Sequence, residues 1–169
     1  MTPQRTKHPL TPDEVREIAS KLHPRYGQMV WAMALTGMGP EEYWSLRWHQ
    51  YADRVHIVGT KRAGRVRDVP CAHSVTPPSI MYAAFRRYLR EASEGRATPY
   101  DLRRTYANWL ESAGVPRTRR RLYMGHGTKD VTDLYEFHEI TAFLKEDAER
   151  LKSYVVGTEN TATLKLVEK

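Results

Sequence analysis

Tyr100 and Arg103 stand three residues apart in a helical pattern, a Gly125-His126 pair follows the next helix end, and Tyr135 comes nine residues after that histidine. On a helix, a spacing of three puts Tyr100 and Arg103 on one face, away from Leu102, Tyr106 and Trp109. Lys61 lies in the turn-rich run Gly59-Thr60-Lys61-Arg62-Ala63-Gly64 between two alternating segments. An arginine, a histidine, a tyrosine and a lysine gathered at one point suit phosphodiester cleavage by a tyrosine nucleophile. The arginine neutralises the non-bridging oxygens of a crowded, phosphorane-like transition state. The tyrosine attacks phosphorus and stores the bond as a phosphotyrosine, while the lysine protonates the departing 5′-oxygen.

Other chemistries lack their residues. The seven histidines are scattered and the lone cysteine, Cys71, has no partner, so no cluster has metal-ligand spacing, and the tyrosine scheme asks for neither metal nor cofactor. There is no Gly-x-Ser-x-Gly elbow. Gly59 to Arg65 misses the Lys-Ser/Thr ending of a phosphate-binding loop and leads into a strand pattern instead of a helix.

Charge points to a polyanionic partner. The chain of 169 residues has a formal net charge of +7. Arg86 to Arg121 holds ten arginines, no lysine and four acids, so +6 of that charge sits in one stretch. The planar guanidinium fork matches phosphate oxygens better than an ammonium does. Double-stranded DNA is the expected partner, with Arg62, Arg65, Arg104, Arg117, Arg119, Arg120 and Arg121 as its backbone contacts. The longest apolar stretch, Met29 to Leu35, is too short to span a bilayer, and MTPQRTKHPL has no apolar secretory core. With one cysteine, a reduced cytoplasmic compartment is the expectation.

The elements that must position these groups read as mainly helical, an α+β fold with one small antiparallel β-hairpin. Thr11-Pro12-Asp13-Glu14 is a capping box opening a helix that His23-Pro24 ends. Tyr26 to Leu35 is a buried helix stopped at Gly37, and Pro40 starts a short one carrying Trp44 and Leu46. Arg54–Val58 and Arg65–Val69 alternate as hairpin strands with Lys61 and Arg62 near the tip. Further helices are expected over Ser79–Ala92, from Thr98 and Pro99 to a stop at Gly114, over Pro116–Met124, and over Ile140–Val155. The tail after Gly157 alternates weakly around Leu164 and Leu166, a strand for a neighbouring chain to pair with.

TPYDLRRTYANWLESAGVPRTRRRLYMGHGTKDVTDLY resembles the catalytic core of the tyrosine recombinase (phage integrase) family. That family reads His-x-Leu-Arg-x-Thr-Phe/Tyr-Ala, then Leu-Gly-His, then a tyrosine nine residues on. ALTGMGPEEYWSLRW is similar to its Thr-Gly-x-Arg-x-x-Glu-x-x-x-Leu-x-Trp helix, and HIVGTKRAGRVRDVP to its lysine hairpin with a closing Arg-x-Val-Pro. The pieces occur in family order from Leu10 to about Phe137. The resemblance implies a recombinase catalytic domain that cleaves and rejoins DNA, as phage or mobile-element integrases do. It makes Tyr135 the nucleophile, Arg103 the second catalytic arginine, His126 and Lys61 its partners, and Tyr100 a hydrogen-bonding substitute for the family's histidine. It also implies residues 1–155 as the catalytic domain and 156–169 as a tail exchanged between protomers, with dimer-to-tetramer assembly on DNA. The family's N-terminal clamp domain has no counterpart in this sequence, so weak, salt-sensitive DNA binding with little sequence preference is expected.

One position departs from the pattern. The first catalytic arginine of the family falls on Gly39, which supplies no charge. Three readings stay open: a recombinase-fold DNA-binding or assembly module that does not cleave; replacement by another arginine, with Arg62, Arg65 and Arg104 nearest by motif; or backbone N–H groups of Gly-Met-Gly-Pro acting in its place. A domain that relaxes supercoils by the same chemistry, as type IB topoisomerases do, is a further alternative.

Overall fold

A computed structural model describes residues 8–58, 66–71, 73–126 and 137–157, the side chains of 137–141 aside. Lys61, Arg62, Arg65, Tyr135 and the tail after Gly157 lie outside the described residues. Within them the order is α1 (Pro12–Ser20), α2 (Pro24–Ala34), α3 (Pro40–Trp44), β1 (Trp48–Gln50), β2 (Arg54–Ile57), β3 (Arg67–Pro70), α4 (Tyr82–Ala92), α5 (Pro99–Ser112), α6 (Arg117–Tyr123) and α7 (Phe137–Val156). The fold is mainly helical with one small antiparallel sheet.

The helix starts follow from their caps. Thr11 accepts from the Glu14 N–H while Glu14 accepts from the Thr11 N–H, with Pro12 at the first helical position of α1. Pro24 does more than stop α1: it opens α2, whose first turn is capped by the His23 ring accepting from the Arg25 N–H. At α5, Asp101 takes the Thr98 N–H at 2.7 Å and the Thr98 hydroxyl at 2.9 Å.

α3 is shorter than its sequence reads. Leu46 takes a left-handed φ of 56° and is 60% exposed, outside the helix. That reversal turns the chain into the sheet, where the Val58 N–H reaches the Arg47 carbonyl at 2.9 Å. The sheet has three strands in the order β1-β2-β3, both pairings antiparallel. β1 is the strand the sequence does not announce, since three residues are too few to display a period of two. Val55, Ile57 and Val69 face the core, while His49, His56 and Asp68 line up across the outer face.

α4 begins at Tyr82, three residues later than Ser79, because the segment before it is pinned in other ways. The Tyr43 hydroxyl donates to the Thr76 carbonyl, and the Trp44 indole N–H donates to that of Ile80 at 2.8 Å. α5 runs through the centre, burying Leu102, Thr105, Tyr106, Trp109 and Leu110. Each large side chain buried there contributes roughly 1.5–3 kcal/mol. Leu10 is locked onto α5 as well: its N–H donates to Thr105 Oγ1 at 3.1 Å and its carbonyl accepts from Trp109 Nε1 at 2.8 Å.

Candidate phosphodiester-binding site

Arg103 projects from α5 into a gap between the end of α2 and the end of α6. One terminal nitrogen donates to the Gly37 carbonyl at 2.7 Å and the other to the Met124 carbonyl at 2.5 Å. Three segments far apart in sequence thereby meet: Thr36 to Gly39, the first turns of α5, and the Met124-Gly125-His126 turn.

The Gly37 carbonyl is aimed by its own residue's backbone. Gly37 has φ +70°, and a Cβ there would sit 2.2 Å from Tyr106 Cδ1. Only glycine satisfies both the left-handed backbone and the contact with a buried ring. The same packing leaves the Tyr106 hydroxyl, fully buried, with no hydrogen-bond partner among the described residues. Burial, the largest influence on it, raises that phenol well above its ordinary range and keeps it neutral.

Gly39 immediately precedes α3 as its N-cap and is conformationally ordinary, with φ −73° and ψ 163°. Its N–H donates to Glu42 Oε1 at 3.0 Å, the Met38 N–H turns back to Thr36 Oγ1 at 3.4 Å, and the Gly37 N–H closes on Met33 at 3.0 Å. The backbone donors of this loop are thus engaged within the chain. A Cβ on Gly39 would meet nothing nearer than Glu42 Oε1 at 3.8 Å, so the position has room for a side chain.

Glu42 and Arg67 form a buried bidentate ion pair beside this loop. Arg67 donates to Glu42 Oε2 at 2.7 Å and to Oε1 at 3.0 Å, and its Nε donates to the Tyr123 carbonyl at 2.9 Å. Desolvation pushes the Glu42 carboxyl upward. The Arg67 hydrogen bonds and charge, the Gly39 N–H and the Arg103 charge together outweigh it, so the net shift is downward and Glu42 is ionised. Neither residue stands among those the sequence marks for chemistry, although both lie inside the quoted motifs. Their pairing joins positions 25 apart, which no local pattern reveals.

α6 supplies the other wall. Its last carbonyls, Tyr123 and Met124, hold Arg67 and Arg103 respectively, as the negative end of a helix favours. His126 follows directly, exposed, with its N–H on the Arg121 carbonyl at 3.0 Å. Tyr100 is 54% exposed at the start of α5.

The arginines divide by their partners. Arg104 lies 3.2 Å from Asp101 and Arg120 lies 3.6 Å from Glu111. Arg119, expected from sequence to face DNA, instead lies over the Phe143 ring at 4.5 Å and grips the fully buried Asp147. Arg117 and Arg121 on α6, and Arg86, Arg87 and Arg90 on α4, are exposed and make no ion pair among the described residues. Arg87 is pre-set against Tyr88, 5.1 Å from its centroid, and Tyr88 stacks on Tyr26.

Among the described residues no group of three or more His, Cys, Asp or Glu side chains is placed to hold a metal ion. No described helix is long and apolar enough to cross a membrane.

No protein-family model matches the chain, and no curated protein matches it. Among solved structures it is similar to the Tn1549 transposon integrase (residues 82–397) in complex with transposon right end DNA. The two share 15% sequence identity at a TM-score of 0.46, over 89% of this chain and 68% of that one.

Proposed function

We propose that this chain cleaves and rejoins DNA through a 3′-phosphotyrosine intermediate. The observation that carries the reading is Arg103 itself: its guanidinium bridges Gly37 and Met124, so the Thr-Gly segment, the start of α5 and the Gly-His turn, drawn from two of the quoted stretches, meet at one cationic group. Tyr135 attacks the phosphorus and the P–O5′ bond breaks as the tyrosyl ester forms. Arg103 and His126 stabilise the non-bridging oxygens, Lys61 gives its proton to the 5′-oxygen, and Tyr100 adds a hydrogen bond. Arg104, Arg117, Arg120 and Arg121, with Arg62 and Arg65, approach flanking phosphates, and the exposed Arg86, Arg87 and Arg90 offer further phosphate contacts; Arg119 serves by holding α6. Self-association on DNA through α7 and the tail completes the scheme.

Incubation with a pool of nicked duplexes in EDTA and low salt tests it, with Tyr135→Phe alongside. A covalent protein–DNA adduct is expected on a denaturing gel, absent from Tyr135→Phe. DNA binding without adduct across the pool overturns the catalytic reading and leaves a DNA-binding or assembly module. One observation favours that second reading: Gly39 carries no charge, and the backbone donors around it are engaged within the chain. Losing one charged phosphate contact costs about 3 kcal/mol in the transition state, on the order of a hundredfold in rate.

A further inference from the structure

Asp147 is an acid on the apolar face of α7, one turn from Leu144 and Leu151, and it is fully buried. Its carboxylate accepts four hydrogen bonds. Arg119 donates from Nε at 2.8 Å and from its terminal nitrogen at 2.9 Å, Arg150 donates at 2.9 Å, and the Tyr123 hydroxyl donates at 2.5 Å. Burial, and after it the Asp147 carboxylate, raise the Tyr123 hydroxyl far above the phenol range, which fixes it as the donor.

Two of the three donor residues belong to α6, Arg119 near its start and Tyr123 at its end, and between them they make three of the four hydrogen bonds. α6 has seven residues, too few to hold its own conformation in water. Its direction is therefore set by what grips it from outside. The grip matters because the carbonyls of Tyr123 and Met124 are what Arg67 and Arg103 hold, and His126 stands two residues past Met124. A rotation of α6 about its axis would carry both carbonyls, and with them the Arg103 guanidinium, off their present line.

We propose that Asp147 is a positioning residue: through Tyr123 and Arg119 it sets the orientation of α6 and so places the Arg103 guanidinium and the His126 turn. It does not touch the phosphate. Its catalytic consequence rests on the function proposed above, while its effect on Arg103 does not. A buried carboxylate with four donors is a costly device for stability alone, since an apolar residue of similar size would fill the space without desolvating a charge. What the carboxylate adds is direction, because each donor must approach along a defined line.

The test uses the whole chain with Tyr123→Phe, which removes one hydroxyl and leaves the ring, and with Asp147→Asn. Tyr123→Phe stays folded as judged by its thermal midpoint, and it carries the test if Asp147→Asn does not. Nitrogen-15 NMR of the guanidinium groups gives the first readout, with Arg103 assigned by the loss of its signals in Arg103→Lys. In the unaltered chain the terminal nitrogens of Arg103, held by two carbonyls, show hindered rotation and slow hydrogen exchange. In folded Tyr123→Phe both are lost, while Arg96, on the α1 side, is unchanged. The second readout is the rate of adduct formation. It falls about tenfold or more in Tyr123→Phe at unchanged DNA affinity, as a displacement of about 1 Å produces, and shows no further loss when Tyr123→Phe is combined with Arg103→Lys. Unchanged Arg103 signals in folded Tyr123→Phe overturn the proposal, as do losses that simply add in the double variant. Absence of adduct from the unaltered chain overturns the proposed function instead, and the NMR readout still decides the role of Asp147.

Discussion

Two glycines two residues apart do opposite things. Gly37 is required: its φ of +70° and the 2.2 Å approach that a Cβ would make to Tyr106 exclude any side chain. Gly37→Ala is expected to destabilise the chain by about 2–4 kcal/mol, from left-handed strain plus overpacking, read as a shift in the urea midpoint. It also displaces the carbonyl that holds Arg103, so adduct formation falls further than stability alone explains. Gly39 is replaceable, with an extended backbone open to every residue and no neighbour closer than 3.8 Å to a Cβ. Gly39→Arg is expected to change stability by no more than about 1 kcal/mol and to raise the adduct rate by up to about a hundredfold. A stable Gly39→Arg with an unaltered rate would mean that the phosphate charge is already supplied from elsewhere in the chain.

At the scale of elements, two ion pairs on buried carboxylates tie together pieces too short to stand alone. Glu42 and Arg67 join α3 to β3, and Asp147 with Arg119 joins α7 to α6. Breaking one partner of such a pair costs about 3–5 kcal/mol because the other is left charged and buried, so Glu42→Gln is expected to lower the urea midpoint strongly at neutral pH. The acid limb of the stability curve has two parts. His73, beyond β3, is held down to about 4 from an ordinary 6.5 by burial, so the folded chain prefers it neutral. Its contribution is complete above pH 6.5 and is lost as pH falls from there toward 4, about 3 kcal/mol in all. The Glu42 carboxyl lies below its ordinary 4.5, so its contribution persists until the pH drops under that value and then fades as protonation breaks the pair. Denaturant titrations from pH 7 to 3 are expected to show the upper part flattened in His73→Leu and the lower part flattened in Glu42→Gln. A single unchanged transition in both variants would assign acid unfolding to other groups.

For the whole molecule, the net charge of +7 is less informative than which cations remain unpaired. Arg86, Arg87, Arg90, Arg117 and Arg121 are exposed and make no ion pair among the described residues, so three to five of them are available to phosphates. These five alone are then expected to contribute about −3 to −5 to the slope of log DNA affinity against log salt, and replacing the three α4 arginines with glutamine to reduce the slope by about 2–3. Fluorescence anisotropy across a potassium chloride series measures both. An affinity indifferent to salt would remove the phosphate backbone as the main partner.

The helices, their caps and the hairpin strands are legible in the chain because each is a local matter. Thr11 with Glu14, Thr98 with Asp101, and the prolines that open helices act within one turn, and the apolar stripe of α5 repeats at helical spacing. The candidate chemistry-bearing residues stand out in the chain for a related reason: their types and order form a pattern along the sequence, of which the described residues include Tyr100, Arg103 and His126. β1 is hidden by its brevity, the early end of α3 by a single left-handed residue, and the role of Asp147 by partners that lie on another helix. What required three dimensions was pairing. Nothing local joins Glu42 to Arg67, sets Arg119 against Asp147, or suspends Arg103 between the carbonyls of Gly37 and Met124. Local order follows from backbone geometry over a few residues, whereas the partner of a buried charge is chosen by which segments packing brings within about 3 Å, the reach of a hydrogen bond.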